Sequence, residues 1–66
     1  MVLTFDPQKL RSIRESKGLT VTALAELAGV SKGAISSWES GTYKPNHENI
    51  QHLADALNVN VEEIQS

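Results

Sequence analysis

The sequence predicts an all-α fold, a compact bundle of five short helices in one domain spanning residues 1–66. Three observations carry that prediction. Apolar residues recur at helical spacing, and no run of four or more residues alternates as a half-buried strand would. A Gly or Asn closes each of the four longer periodic stretches, and a Ser, Thr, Asp or Asn opens every stretch. An apolar residue also stands just before nearly every such cap and another five positions later, the pattern of a hydrophobic staple.

The elements follow in order. Asp6 caps the first helix with Pro7 at its first position; Leu10 and Ile13 point inward and Gly18 ends it. Thr20 caps the second, with Leu24, Leu27 and Ala28 as its inward stripe before Gly29. Ser31 caps the third, which carries Ala34, Ile35 and Trp38 and stops at Gly41. Pro45 and Asn46 open the fourth, with Ile50, Leu53, Ala54 and Leu57 at helical spacing and Asn58 as a left-handed terminator. Asn60 opens a last short turn, with Glu63 placed for a capping box. The staple pairs are Phe5 with Leu10, Leu19 with Leu24, Val30 with Ile35 and Val59 with Ile64, and Pro45 and Ile50 take those places in the fourth helix.

Composition narrows the function. A chain of 66 residues has one small core, burying roughly 60% of its unfolded surface. It contains no cysteine, which removes disulfides and thiolate metal sites and fits a reducing cytoplasmic setting. No apolar run approaches the roughly 20 residues needed to span a bilayer. The net charge of −2 argues against a phosphate-binding role until its distribution is read. Residues 1–44 hold all six bases (Lys9, Arg11, Arg14, Lys17, Lys32, Lys44) against four acids, a balance of +2, whereas residues 45–66 hold only four acids, −4. Such polarity presents a basic face to DNA and an acidic end away from it.

The informative stretch runs from Thr20 to Glu39, where two short helices meet at a tight turn. Their crossing needs a small side chain, supplied by Ala25, and the turn needs a residue tolerant of positive φ, supplied by Gly29. Val30 and Ile35 fill the angle between them. Spacing alone equally fits an ordinary helical hairpin.

Nearly the whole chain resembles the lambdoid phage repressor and Cro family, also called the xenobiotic-response-element-type regulators. The similarity is carried by Leu10, Arg11, Arg14, Gly18, Leu19 and Thr20; by Leu24, Ala25, Ala28, Gly29, Val30 and Ser31; by Ile35, Ser36, Trp38, Glu39, Gly41 and Pro45; and by Leu53, Ala54, Ala56, Leu57 and Val59. The resemblance implies a lambda-repressor-like bundle of about five helices with a helix-turn-helix at about residues 20–40, and the helix Ser31 to Ser40 in the major groove of double-stranded DNA. Lys32, Gly33 and Ser37 occupy the family's base-reading positions, with Ser36 nearby. Lys32 can donate to guanine O6 and N7, a phosphate contact or a solvated lysine being its alternatives. Gly33 offers no side chain and costs the helix about 1 kcal/mol relative to Ala; close approach to DNA offsets that, or the cost is simply tolerated. Phosphate contacts are implied for Thr20, Val21 and Thr22 at the start of the second helix, and for Ser31, Ser40, Thr42, Tyr43 and Lys44 around the third. Many family members have glutamine where Val21 stands, which removes a side-chain contact. Arg14 and Glu39 match a pair of positions that often form a salt bridge between the first and third helices. Trp38 reads as core rather than a stacking platform for DNA.

Other chemistry finds no support. His47 and His52 are five apart on one helix and lack the i, i+4 spacing of a paired metal site. The serines have no histidine base near them in sequence, and no glycine-rich phosphate loop is present. The expectation is a non-enzymatic transcriptional regulator without metal or cofactor, a repressor acting in the cytoplasm, on the nucleoid when bound. It would act as a homodimer on a palindromic operator, paired through the C-terminal region where Val59, Val61 and Ile64 offer apolar surface, though these residues equally serve to close the monomer core. Two rivals remain open: a protein-interaction module of antitoxin-like or anti-repressor type on the same fold, and the DNA-binding end of a longer regulator.

Overall fold

A computed structural model describes residues 2–66. Four α-helices follow one another, α1 (Pro7–Ser16), α2 (Val21–Ala28), α3 (Lys32–Ser40) and α4 (His47–Leu57), and the chain closes with a 3-10 turn at Val61–Ile64. Each α-helix starts as the caps require. Oxygen atoms of Asp6, Thr20, Ser31 and Asn46 accept hydrogen bonds from backbone N–H groups in the first turns of α1 to α4.

The helices also end alike. After α1, α2 and α4 a residue in the left-handed region (Gly18, Gly29 or Asn58) donates to the carbonyl three residues back, and the apolar residue after it (Leu19, Val30 or Val59) donates to the carbonyl five back. The cap of the next element follows directly, so one apolar side chain seals the end of one helix and the start of the next. The connection from α3 to α4 is different. Gly41 and Thr42 make the same two hydrogen bonds, but Thr42 is polar, and Tyr43, Lys44 and Pro45 intervene before the Asn46 cap.

The largest wholly enclosed side chains are Leu10, Leu24, Ile35, Leu53, Leu57 and Ile64. Each removes an apolar surface worth about 1.5–3 kcal/mol from water. They sit where α2 packs against both α3 and α4, with α1 lying on α3 and the 3-10 turn on α4 and α1.

Two expectations change and a third narrows. The fifth helix is only a single 3-10 turn, because its continuation is captured by the other end of the chain. Asp6 donates its N–H to the Ile64 carbonyl, Phe5 pairs with Gln65, and Thr4 and Ser66 exchange hydrogen bonds at 3.0 and 2.8 Å. Backbone groups drawn into that extended pairing cannot propagate a helix. The Glu63 carboxylate still accepts from Asn60 N–H at 2.9 Å, as the capping pattern required.

Leu27, expected on the inward stripe, is 60% exposed. A close crossing demands small side chains, so α2 turns Ala25 and Ala28 inward together with Leu24. At about 100° per residue this carries Leu27 out of the contact. Of the two roles open to Ile64, dimer surface or closure of the monomer core, its full burial leaves the second, and Val59 and Val61 are half-buried against that core.

The Asp6 carboxyl is held below its ordinary value of 3.8, by a hydrogen bond from the Ser66 side chain and then by the amides of Lys9 and Gln8 and the Lys9 charge. A depressed carboxyl contributes stability that is fully present above the unfolded value and lost as pH falls through the folded one. Asp6→Asn keeps a capping oxygen but removes the titration. Melting temperatures measured from pH 6 down to pH 2 should therefore fall less steeply for Asp6→Asn than for the parent, and parallel curves would refute the assignment.

Candidate nucleic-acid interface

The surface in question is built on the angle between α2 and α3. Gly29, with φ of 72°, turns the chain, and Val30 N–H returns to the Ala25 carbonyl at 3.0 Å. Ile35 and Trp38 anchor α3 in the core. This leaves Lys32, Gly33, Ser36 and Ser40 exposed on the far side of α3, with Ser37 half-buried at its edge.

One guanidinium locks this geometry. Arg14 Nε and Nη2 donate to the two carboxylate oxygens of Glu39 at 2.6 and 2.9 Å, and Nη1 donates to the Leu19 carbonyl at 2.8 Å. The pair is almost fully buried. The Glu39 hydrogen bonds outweigh burial and raise the Arg14 pKa, so the side chain stays charged. The expected salt bridge is therefore made. The Leu19 contact was not legible in the sequence, because it ends on a backbone carbonyl. It adds a third element, since Leu19 directly precedes the Thr20 cap: α1, the start of α2 and the last turn of α3 share one tie.

The hydroxyls divide into two groups. Thr20 Oγ1 accepts from Ala23 N–H at 3.0 Å and Ser31 Oγ from Ala34 N–H at 3.1 Å, which leaves both hydroxyl protons free to donate outward. Ser40, by contrast, spends its proton on the Ser37 carbonyl at 3.1 Å and lies 2.8 Å from Thr42 Oγ1. With that proton spent, Thr42 is the donor between them. A phosphate offers only acceptors, so Ser40 and Thr42 are less ready to bind one than the sequence indicates. Their role here is to hold the loop, together with N–H groups of Thr42 and Tyr43 that reach the same Ser37 carbonyl at 3.0 and 3.3 Å.

The remaining positions fall as follows. The half-buried Val21 side chain packs against the core at the start of α2, beside the exposed Thr22, and its N–H is among those that the first turn of a helix leaves without an intrahelical partner. Tyr43 is 68% exposed and Lys44 is exposed beside it. Among the described residues Lys32 and Lys44 have no carboxylate within salt-bridge distance. His52 lies 3.6 Å from Glu48 one turn away, on exposed α4 surface. Among the described residues no cluster of three metal-ligating side chains occurs, and no helix is long and apolar enough to cross a membrane.

Residues 10–64 match the family described as helix-turn-helix. The chain is 41% identical over 59 residues to the HTH-type transcriptional activator BcrR of Enterococcus faecalis, covering 89% of this chain and 29% of that protein. It is 38% identical over 50 residues to Repressor protein C2 of Salmonella phage P22, covering 76% of this chain and 23% of that protein. The chain thus spans about a quarter of the length of either relative. In structure it is similar to the P22 c2 repressor in complex with a synthetic operator, with a TM-score of 0.82, 33% identity and 88% of each chain covered. It is equally similar to the restriction-modification controller protein C.AhdI from Aeromonas hydrophila, with a TM-score of 0.86, 34% identity and 88% of each chain covered.

Proposed function

The chain belongs to the helix-turn-helix family of the lambdoid phage repressor and Cro type, a family of non-enzymatic regulators, and on that premise we propose that it binds double-stranded DNA as a transcriptional repressor. The observation that carries the reading is the exposed face of α3, with its angle to α2 held by Arg14, in a fold whose P22 relative was solved on an operator. In this reading α3 enters the major groove, where Lys32 reaches base edges and Gly33, Ser36 and Ser37 complete the reading face. The starts of α2 and α3 meet phosphates through the amides of Val21 and Thr22 and the free hydroxyls of Thr20 and Ser31. Lys44 and Tyr43 meet phosphate from the loop, and Ser40 and Thr42 hold that loop in place.

A single unit this small touches too few bases for tight specificity, so two copies act together on a palindrome. Their contact uses the outer edges of Val59 and Val61. Ile64, enclosed in the core, takes no part.

Selection from a random DNA pool at low and at physiological salt tests this reading. The expected result is a palindromic site whose affinity falls as salt rises. If Lys44 of each copy neutralises one phosphate while Lys32 reads bases, the logarithmic slope is about −2, shallow for a DNA-binding protein. No enrichment at either salt would refute DNA reading and leave the family fold as a protein-binding module.

A further inference from the structure

We infer that Gly33 is a specificity-determining residue, because its missing side chain lets the base edges of the groove approach the backbone of α3; this rests on the DNA-binding reading above. Three of the four glycines are accounted for by the fold. Gly18, Gly29 and Gly41 have φ of 70°, 72° and 80°, left-handed values that disfavour any side chain. Gly33 differs from them in its φ, which is not positive. A Cβ built on it would meet nothing within 4 Å beyond its chain neighbours and its own helix backbone, as is also true at Gly18 and Gly29, so neither backbone conformation nor lack of space calls for glycine at this position. Nothing within the protein requires glycine there, and in a helix glycine is destabilising relative to alanine.

Position explains what the free fold does not. At about 100° per residue, Gly33 lies almost diametrically opposite the midpoint of Ile35 and Trp38, the two residues that bury α3. It therefore stands at the centre of the surface that α3 presents outward, with Lys32, Ser36, Ser37 and Ser40 around it. A serine hydroxyl extends only two bonds from Cα, so Ser36 and Ser37 reach base edges only if the helix backbone sits close to the groove floor. A side chain at the centre of the face would hold the helix away from that floor. On random-sequence duplex the long, flexible Lys32 and Lys44 side chains reach phosphates over a range of separations, whereas Ser36 and Ser37 reach base edges only at close approach.

The test uses the full chain and its selected site. Gly33→Ala should raise the melting temperature by roughly 5 °C, lower affinity for the selected site at least tenfold, and leave binding to random-sequence duplex within about twofold. Gly33→Val should lose still more of the site-specific affinity. Overturning the inference takes only a stabilised Gly33→Ala protein that binds its site as tightly as the parent, since glycine is then merely tolerated. Equal losses on both duplexes would also overturn it, because the effect would not be specific to bases. Failure of the parent to select any site is a different result: it removes the DNA-binding reading itself, and this inference with it.

Discussion

Arg14→Ala is expected to cost the fold about 3–5 kcal/mol, because it leaves the Glu39 carboxylate buried without a counter-charge. The part-buried Leu19 carbonyl loses its side-chain donor in the same step, which adds to the loss. Against a total stability of about 5–15 kcal/mol for domains in general, and the low end for one this small, the variant should be largely unfolded at 37 °C. Thermal melting followed by circular dichroism checks this, and a melting curve like the parent's would dismiss the buried pair as a structural element. The double variant Arg14→Met with Glu39→Leu separates stability from orientation. Apolar replacement of a whole buried pair is often neutral or stabilising, so this protein should fold. It nevertheless lacks the tie joining α1, the Leu19 turn and α3, and its affinity for the selected site should stay well below the parent's. A double variant that both folds and binds like the parent would show that the pair does not set the angle of α3.

Trp38→Ala should cost about 3–5 kcal/mol for a different reason, the cavity left in the core behind α3. Trp38 is buried on the inward side of that helix, so its ring supports the reading face from behind. It is also the only tryptophan, which makes its fluorescence a site-specific probe. Emission should shift to the red on unfolding and change little when DNA is added to the folded protein. Trp38→Phe should retain most of the stability and nearly all of the affinity. The contrary outcome, a Trp38→Ala protein that melts normally but no longer binds DNA, would mean that the ring stacks on bases and is not core.

Much of the placement of α3 was legible in the sequence. Lys32, Gly33 and Ser36 emerge on the exposed face of α3 where the sequence put them, and Arg14 and Glu39 meet across 25 residues of chain. What the sequence left open shares a cause. Leu27 satisfies a helical period yet lies outside the core, because period alone leaves the rotation of a helix open until the size of the residues at its crossing decides it. Ser40 and Thr42 have the right chemistry for phosphate, but their hydroxyls are within reach of each other and of the Ser37 carbonyl, and local bonds take the protons first. Ile64 has an apolar side chain like any dimer contact, and only the packing of the last turn onto α1 and α4 shows that the monomer uses it.

By itself, then, the sequence determined where each of the four α-helices begins and ends. Caps, staples and left-handed terminators act over a few residues, and the chemistry that stops α2 at Gly29 or starts α3 at Ser31 is complete within that short span. It also placed Lys32, Gly33 and Ser36 on the outward face of the helix after Ser31. Only the tertiary structure decided which face each helix buries, how Arg14 reaches the Leu19 carbonyl as well as Glu39, and that the final helix is cut short by Phe5 and Gln65 pairing from opposite ends of the chain. Those outcomes depend on the size and hydrogen-bonding groups of residues distant in sequence, and such groups compete for one another only once the chain has closed around its core.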